Sequence, residues 1–317
     1  MSTNTNAADF SHYSVLLNET VSVLDVKPDG VYVDLTLGGG GHSEKIAEQL
    51  STGRLICIDA DTTAIEASKI RLAEYADKIT FVHSFNDEID SVLDELGIDE
   101  IDGAVADLGV SSYQLDNADR GFSYMHDAPL DMRMDESAAL TAYDIVNCRS
   151  EEELKRILYI YGEEDFAPRI AAAICKRREE SPIKTTAELS EIIKSAIPAK
   201  ARVGGHHPAK RSFQAIRIAV NKELDRLPVM LEKVIGRLKP GGVLAVISFH
   251  SLEDRIVKNT FADQARGCTC PPSFPVCVCG NKEKVKIITK KPVLPTEAEL
   301  EINPRSRSAK LRACRKI

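Results

Sequence analysis

The sequence contains no tryptophan and few other aromatic residues, with nine Phe and eight Tyr in 317 residues. Its core must therefore be built mainly from aliphatic side chains. Long hydrophobic runs are also missing: the apolar stretch 243–249, interrupted by Ser248, is much shorter than the roughly 20 residues that a membrane helix needs. The first 13 residues have neither the positive charge nor the apolar segment of a secretory signal. We therefore expect a cytoplasmic protein without a membrane partner.

Positive charge is scarce in the first third of the chain. Residues 1–110 contain 6 Lys and Arg against 21 Asp and Glu, a net charge of −15, whereas residues 111–317 carry +8. The overall net charge of −7 by itself argues against a nucleic-acid partner. The asymmetry instead suggests an acidic half that binds a small cationic or neutral ligand, and a basic half that faces an anion. Acidic helices that only keep the protein soluble are the alternative.

Strands and helices alternate over the first hundred residues, and this pattern predicts βαβ units in an α/β fold with a doubly wound, mostly parallel sheet. The predicted strands cover residues 31–36, 54–59, 79–83, 101–107, 243–249, 285–289 and 309–313. Helical patterns replace the alternation after residue 112, and a long helix is predicted at 212–238. We therefore predict a sheet domain split into residues 1–112 and 210–317, with an all-helical domain, residues 113–209, inserted into it.

A glycine-rich turn, Asp34-Leu-Thr-Leu-Gly-Gly-Gly-Gly-His42, follows the first predicted strand. Glycine lets the backbone approach a ligand at the carboxyl end of a sheet. A dinucleotide fingerprint would need a third glycine where Ser43 stands, which disfavours a dehydrogenase. An acidic residue before the turn, with no phosphate-binding lysine after it, favours S-adenosylmethionine (SAM), which carries cationic groups and no pyrophosphate. A tight turn without a ligand is the alternative.

Further groups suited to SAM follow the next predicted strands. Asp59 lies about 20 residues after the turn, where a carboxylate accepts hydrogen bonds from ribose hydroxyls, and Asp61 competes for this role. For either residue, capping of the helix that starts at residue 62 is the alternative. Phe85 is placed to cover an adenine ring or to join the core, and Asp107 is placed near a transferring methyl group. Suitable groups at four successive strand ends are less expected by chance than any one of them.

With these motifs the chain resembles the RsmH (MraW) family of SAM-dependent methyltransferases. The matching blocks are His12-Tyr-Ser-Val-Leu-Leu17 with Glu19, residues 34–42, residues 107–114, Arg120-Gly-Phe-Ser123, residues 129–135, Tyr161-Gly-Glu-Glu164, Phe213-Gln-Ala-Ile-Arg217 and residues 248–255. The resemblance implies a Rossmann-like class I methyltransferase domain with a helical insert. It also implies methylation of N4 of a decoding-region cytidine in 16S rRNA, within the small ribosomal subunit. The SAM contacts that it implies are Gly40, Gly41, His42, Asp59, Phe85, Asp107 and Gln114.

The target amine is a poor nucleophile, because its lone pair is delocalised into the ring, and the base must first be unstacked. We hypothesise that Asp107 accepts a hydrogen bond from the amine or orients the methionyl group of SAM. His250 and Ser248 are predicted to contact the cytosine, and a structural histidine is the alternative for His250. Asp107-Leu-Gly-Val stands where most enzymes that methylate exocyclic amines carry Asp/Asn/Ser-Pro-Pro-Tyr/Phe. The way in which that motif holds the target base in those enzymes therefore cannot be carried over to this chain.

Two acid-free basic stretches predict an RNA-binding face. The first, residues 192–221, contains Lys194, Lys200, Arg202, Lys210, Arg211 and Arg217. The second, residues 305–316, contains six more Lys and Arg. We therefore expect 16S rRNA as the partner and the helical insert as its recognition domain. The sequence leaves the oligomeric state open, with a homodimer among the alternatives.

Four cysteines form a C-x-C…C-x-C pattern around a proline-rich loop, namely Cys268, Cys270, Cys277 and Cys279. Four thiolates can hold a tetrahedral zinc ion, but the pattern lacks the usual C-x2-C spacing, so the sequence assigns no metal ligand. A disordered or redox-labile loop is the alternative. For the whole protein, two further functions stay open: methylation of another nucleic acid, and ribosome assembly by an rRNA-binding factor with a vestigial SAM pocket.

Overall fold

The computed structural model describes residues 14–202, 207–271, 274, 276 and 278–317, and a seven-stranded sheet forms its centre. The strands are β1 Val31–Asp34, β2 Arg54–Asp59, β3 Ile79–His83, β4 Ile101–Asp107, β5 Leu238–Ser248, β6 Val285–Ile287 and β7 Lys310–Lys316. Their order in the sheet is β3-β2-β1-β4-β5-β7-β6. Strands β1 to β5 pair in parallel, and β7 is antiparallel to both β5 and β6. Three predicted strands, β2, β3 and β4, have the predicted bounds.

Helices cover both faces of the sheet and build a separate layer beside it. They are α1 Leu17–Leu24, α2 Gly41–Ala47, α3 Thr62–Arg71, α4 Ile89–Glu95, α5 Ser112–Asp116, α6 Ala142–Cys148, α7 Glu151–Gly162, α8 Ala167–Glu180, α9 Thr186–Ala196, α10 Lys210–Asn221, α11 Glu223–Arg237, α12 Ser251–Gln264 and α13 Glu297–Ile302. Within the described ranges, no helix combines the length and the apolar character that crossing a lipid bilayer requires.

Alternating side chains place one hydrophobic core on each face of the sheet. In β2, Ile56 and Ile58 belong to a core shared with α4, α11 and α12. Leu55 and Cys57 point the other way, into a core shared with α1, α2 and α3. The α/β, doubly wound and mostly parallel architecture predicted from the sequence is therefore confirmed.

A third core, made of side chains between residues 122 and 220, lies outside the sheet. Helices α6 to α10 supply most of it. Three of these helices begin with capping boxes, in which Thr141, Ser150 and Thr185 each accept the backbone N–H three residues later. Residues 122–220 thus fold around a largely aliphatic centre of their own.

The single long helix predicted at 212–238 is wrong. The chain turns at Lys222, which has a φ of 54°, and this turn separates α10 from α11. Phe213 of α10 packs into the helical core, whereas Leu227 of α11 packs on the sheet. Helix α10 therefore packs with the insert, although the sequence analysis assigned residues from 210 onward to the sheet domain. An amphipathic pattern shows that a helix has an apolar face, but not which core receives it.

Asp254 ties α12 to the antiparallel strand β7. It accepts hydrogen bonds from Arg312 Nε at 2.6 Å and from Lys310 Nζ at 3.2 Å. The side chains of Asp254 and Arg312 are only 14% and 11% exposed. We expect Asp254→Ala to lower the free energy of unfolding by about 3 kcal/mol, because it leaves buried positive charge uncompensated. Denaturant titration followed by circular dichroism measures this loss.

Asp263→Ala provides the matched control on the same helix. Asp263 pairs with Arg266 at 3.0 Å, but both side chains are more than half exposed. A solvated pair of this kind is worth less than about 1 kcal/mol. Equal losses in the two variants would contradict the anchoring role of Asp254.

Candidate active site

A cavity of about 510 Å³ opens at the carboxyl ends of β1, β2, β4 and β5. In a doubly wound sheet this is the edge where ligands bind. The sheet domain forms one wall of the cavity and the helical insert forms the other. The predicted site residues that line it are Gly41, His42, Asp59, Phe85, Asp107, Gln114 and His250. Gly40 and Ser248 do not line it.

The glycine turn joins β1 to α2 along a backbone path that favours glycine. Gly38 and Gly40 have φ angles of +48° and +77°. The N–H of Gly38 donates to Asp59 Oδ2 at 2.8 Å, which fixes the turn against the end of β2. At Gly40 an added Cβ would lie 3.1 Å from Ser68 Oγ, so this residue faces α3. Gly40 therefore shapes the turn between Gly39 and Gly41, which line the cavity, and its contact with SAM stays a prediction.

Asp59 and Asp61, the two competing carboxylates after β2, occupy different environments. Asp59 lines the cavity, and its carboxylate accepts the N–H groups of Gly38 and Asp61, each at 2.8 Å. Asp61 caps α3 by accepting the N–H of Thr63 at 2.9 Å, and it also pairs with Arg120 at 2.7 Å. Burial raises the pKa of Asp59 to about 6. Of these two carboxylates, Asp59 is thus the one that lines the cavity.

Ser43, which stands where a dinucleotide fingerprint has glycine, binds a second buried carboxylate. Its Oγ donates to Asp34 Oδ2 at 2.7 Å, and the N–H of Thr36 donates to Asp34 Oδ1 at 3.1 Å. Burial raises the pKa of Asp34 to about 6, although both hydrogen bonds oppose the rise. Asp34 therefore joins β1 to α2 directly behind the wall of the cavity.

Asp107 ends β4, and about a quarter of its side chain is exposed. Its backbone N–H donates to Thr36 Oγ1 at 2.6 Å, and its Oδ2 lies 3.9 Å from His42 Nδ1. Its Oδ1 is buried and has no hydrogen-bond partner among the described residues. Burial, followed by nearby negative charges of which Asp34 is the strongest, raises the pKa of Asp107 well above its usual range. A ligand that brings positive charge or a donor would satisfy this carboxylate.

Phe85 and Gln114 are held in place by charged neighbours. The guanidinium of Arg226 lies 3.7 Å from the centre of the Phe85 ring, and it also pairs with Asp87 at 2.6 Å. Gln114 Nε2 donates to Asp61 at 2.9 Å. The sequence analysis missed Arg226, because a single arginine on an amphipathic helix gives no signal of its position across the cavity.

His250 lies at the start of α12, with Nε2 3.2 Å from Glu253 Oε1. Glu253 is only 2% exposed. Burial opposes its ionisation, but His250 and the positive charge of Arg217 hold the pKa of Glu253 below its usual range. The buried carboxylate thus orients the imidazole at the border of the cavity.

Ser248 lies outside the cavity. Its side chain is 1% exposed, and its Oγ is 3.5 Å from the carbonyl oxygen of Lys310 on β7. The contact of Ser248 with the cytosine therefore stays a prediction, and in this structure the residue does not line the cavity. The strand directs its side chain toward the neighbouring strand, whereas Phe249 and His250, beyond the strand end, border the cavity.

Aromatic residues of the insert form the opposite wall. The Tyr124 ring stacks on His207 with a centroid distance of 4.5 Å and an interplanar angle of 11°. Phe213 meets Tyr124 edge-on at 5.6 Å, and Phe122 completes the wall. Sequence reasoning missed this group. The one available signal was the concentration of scarce aromatic residues beside the Arg120-Gly-Phe-Ser123 block.

Much of the predicted basic surface is neutralised within the protein. Arg217 forms two 2.9 Å hydrogen bonds with Glu223. In the second stretch, Lys310 and Arg312 pair with Asp254, as described above. Other ion pairs involve Lys194 with Glu191, Arg211 with Asp165, and Arg305 with Asp116. Lys200 and Lys210 are exposed, form no ion pair among the described residues, and are the clearest candidates for contact with an anion.

The geometry fits a cationic nucleoside. Asp34, Asp59 and Asp107 gather at one edge, and burial raises the pKa of each. A pyrophosphate would add negative charge to this edge, whereas a sulfonium or ammonium group would favour the ionised carboxylates. Asp59 and Phe85 line the cavity, and Asp107 has a buried oxygen without a described partner.

The sheet order, the glycine turn and the acidic strand ends define a Rossmann-like, class I, SAM-dependent methyltransferase. The chain belongs to the MraW methylase family, whose model matches residues 9–317. This match confirms the resemblance on which the sequence analysis relied.

Relatives of this chain are similar along its whole length. It is 59% identical over 310 residues to the ribosomal RNA small subunit methyltransferase H of Clostridium botulinum, covering 98% of this chain and 100% of the relative. It is 55% identical over 327 residues to the protein of the same name from a Paenibacillus species, covering 97% and 100%. A solved SAM-dependent O-methyltransferase of Thermotoga maritima is 10% identical with a TM-score of 0.40, covering 97% of this chain and 68% of its own.

We expect Asp59→Asn to weaken SAM binding about 10- to 100-fold at neutral pH, because a hydrogen bond to a charged group contributes roughly 1.5–3 kcal/mol. With a pKa of about 6, Asp59 is ionised at neutral pH and becomes neutral as the pH falls through that value. Affinity in the unchanged protein should therefore fall on acidification, and less steeply in the variant. Titration calorimetry at several pH values measures both effects.

The exposed Asp94, on the far helix α4, supplies the control variant Asp94→Asn, which should bind SAM like the unchanged protein. Equal affinities of Asp59→Asn and Asp94→Asn would contradict the ribose role of Asp59.

Proposed function

We propose that this protein transfers a methyl group from SAM to the exocyclic N4 of a decoding-region cytidine in 16S rRNA of the small ribosomal subunit. The names of its relatives support the rRNA substrate. The observation that carries the proposal is that Asp107 lines a cavity whose two walls differ. The wall formed by the sheet domain suits the cofactor, and the wall formed by the insert is aromatic.

The aromatic wall supports entry of a single extruded base. RNA bases that leave their stack are commonly held on aromatic side chains. Phe122, Tyr124 and Phe213 offer such rings on the insert side of the cavity. The stack of Tyr124 on His207 holds the tyrosine ring in one orientation. We therefore assign the base to this wall and the adenosine to the wall with Asp59 and Phe85.

The proposed reaction forms a bond between N4 and the methyl carbon, while the carbon–sulfur bond breaks and its electrons remain on sulfur. Bound SAM supplies the electrophilic methyl group on its sulfonium. The amine nitrogen also loses one proton, which Asp107 accepts where its carboxylate contacts the amine and which otherwise passes to solvent. Asp107 has a raised pKa in the free protein, and nearby positive charge favours its carboxylate form. In that form it accepts a hydrogen bond from the amine or orients the methionyl group.

His250 is proposed to contact the cytosine. The buried Glu253 lies 3.2 Å from the imidazole and fixes the orientation of the ring at the border of the cavity. A positioned donor or acceptor of this kind keeps the amine in line with the methyl group, and such alignment supplies much of the acceleration in group transfer. The insert, predicted as residues 113–209, and the exposed Lys200 and Lys210 would bind phosphates around the target.

We expect Asp107→Asn to lower the single-turnover rate with bound SAM about 100-fold or more, as loss of a proton-accepting carboxylate does. His250→Ala should lower it about tenfold, through loss of one hydrogen bond. Rapid quenching of radiolabelled methyl transfer, with SAM affinity measured in parallel, separates the two roles of Asp107. A lower rate at equal affinity favours contact with the amine, and weaker binding favours the methionyl group.

Unchanged single-turnover rates in both variants would remove Asp107 and His250 from the mechanism. Asp94→Asn again serves as the surface control, and thermal unfolding of each variant checks that its fold is intact.

The substrate is tested by mass-spectrometric mapping of methylated nucleotides after incubation with SAM. Isolated small subunits, free rRNA and DNA are compared. We expect one N4-methylcytidine in 16S rRNA of the small subunit. Methylation of DNA, or tight rRNA binding without any transfer, would contradict the proposal and favour the other two functions.

A further inference from the structure

A cluster of cysteines lies in the loop between α12 and β6, and none of them lines the cavity. The Sγ atoms of Cys268, Cys270 and Cys279 all lie within 4.8 Å of one another. Cys270 is partly buried, and the other two are exposed. Cys277 lies outside the described residues. Three sulfur atoms at this spacing form a potential ligand set for one metal ion.

The distances fit metal ligation and not a disulfide. The Sγ atoms of Cys268 and Cys279 are 3.7 Å apart. A disulfide would place them about 2.05 Å apart. Two thiolates on a tetrahedral zinc ion, each about 2.3 Å from the metal, are separated by about 3.8 Å.

Backbone N–H groups point at the sulfur atoms. Cys270 Sγ accepts from the N–H groups of Val278 and Cys279, each at 3.3 Å. Cys279 Sγ accepts from the N–H of Thr269 at 3.3 Å. Hydrogen bonds of this kind orient ligating sulfurs and stabilise the thiolates. The loop thus supplies both the ligands and the groups that support them.

The apolar side chains that the structure describes in this loop do not form a core. Phe274, Val276 and Val278 are 50%, 70% and 73% exposed. At the base of the loop, Asn281 Nδ2 donates to the carbonyl oxygens of Arg266 and Gly267 at 3.1 and 2.9 Å and so joins its two ends. A short segment without a core is commonly ordered by a metal ion, because the free energy of binding becomes free energy of folding.

We propose that Cys268, Cys270 and Cys279 bind one zinc ion, which orders this loop. An all-sulfur set favours zinc among the common divalent ions. Each cysteine that binds as a thiolate releases its proton to solvent, and no oxidant or reductant takes part. The fourth position of the tetrahedron takes a further ligand. The site is separate from the cavity, so the proposal stands independently of the proposed function.

The test measures zinc in the full chain purified under reducing conditions without chelator. Elemental mass spectrometry should find about one zinc per chain. Cys268→Ser, Cys270→Ser and Cys279→Ser should each lower the bound zinc at least about tenfold and make the loop more sensitive to limited proteolysis. Cys148→Ser, an exposed cysteine on α6, is the matched control and should keep the metal.

A second measurement does not depend on how the variants fold. Cobalt(II) added to the unchanged, metal-stripped protein should produce the charge-transfer absorption of tetrahedral thiolate ligation, and zinc should abolish it. Chains that bind neither ion in the reduced state would overturn the proposal. A disulfide among these cysteines in freshly isolated protein, iron in place of zinc, or full zinc content in all three serine variants would do so as well.

Discussion

The burial of carboxylates at the carboxyl edge of the parallel sheet is the constraint on which this structure depends. Parallel strands end at the same edge, so Asp34, Asp59 and Asp107 are brought together away from bulk water. Their raised pKa values record the cost of that arrangement. Backbone N–H groups and the Ser43 hydroxyl offset part of this cost. A bound cation would offset the rest by stabilising the ionised carboxylates, which is why the cavity suits a sulfonium cofactor.

The insert is fixed to this edge by polar contacts. Arg120 and Asp61 form a buried ion pair at 2.7 Å, and the same arginine donates to the carbonyl oxygens of Arg133 and Met134. Asn221, at the end of α10, accepts the N–H of Met134 at 2.8 Å. A buried pair fixes orientation more than it stabilises the fold. The aromatic wall is therefore held in register with the strand ends.

Local patterns in the sequence predicted the sheet and most of the edge residues, because strand ends of a parallel sheet converge whatever the details of packing. The same logic preferred Asp59 to Asp61 because Asp59 ends β2, and the structure adds that Asp61 caps α3. It also placed Ser248 at this edge, although this residue is buried beside β7 and does not line the cavity. The sequence pattern also did not predict the break at Lys222, where one residue with a left-handed backbone conformation ends α10 within a continuous apolar pattern.

Counting charges along the sequence did not predict which basic residues form ion pairs within the folded protein. An acid-free stretch excludes only acids that are near in sequence, whereas Arg312 finds Asp254 from a distant helix. Lys210, which stays exposed, lines the cavity on the side of the insert.

In the proposed reaction, the carboxylates at this edge of the sheet would favour binding of SAM over binding of its demethylated product. Methyl transfer removes the sulfonium charge, so the product no longer supplies one of the cations that favour an ionised Asp107. Burial and nearby negative charge, which raise the pKa of Asp107 in the free protein, then disfavour its carboxylate form more strongly than when SAM is bound. We therefore expect this residue to hold the spent cofactor less tightly than SAM, so that the electrostatics that favour binding of the donor also favour release of its product.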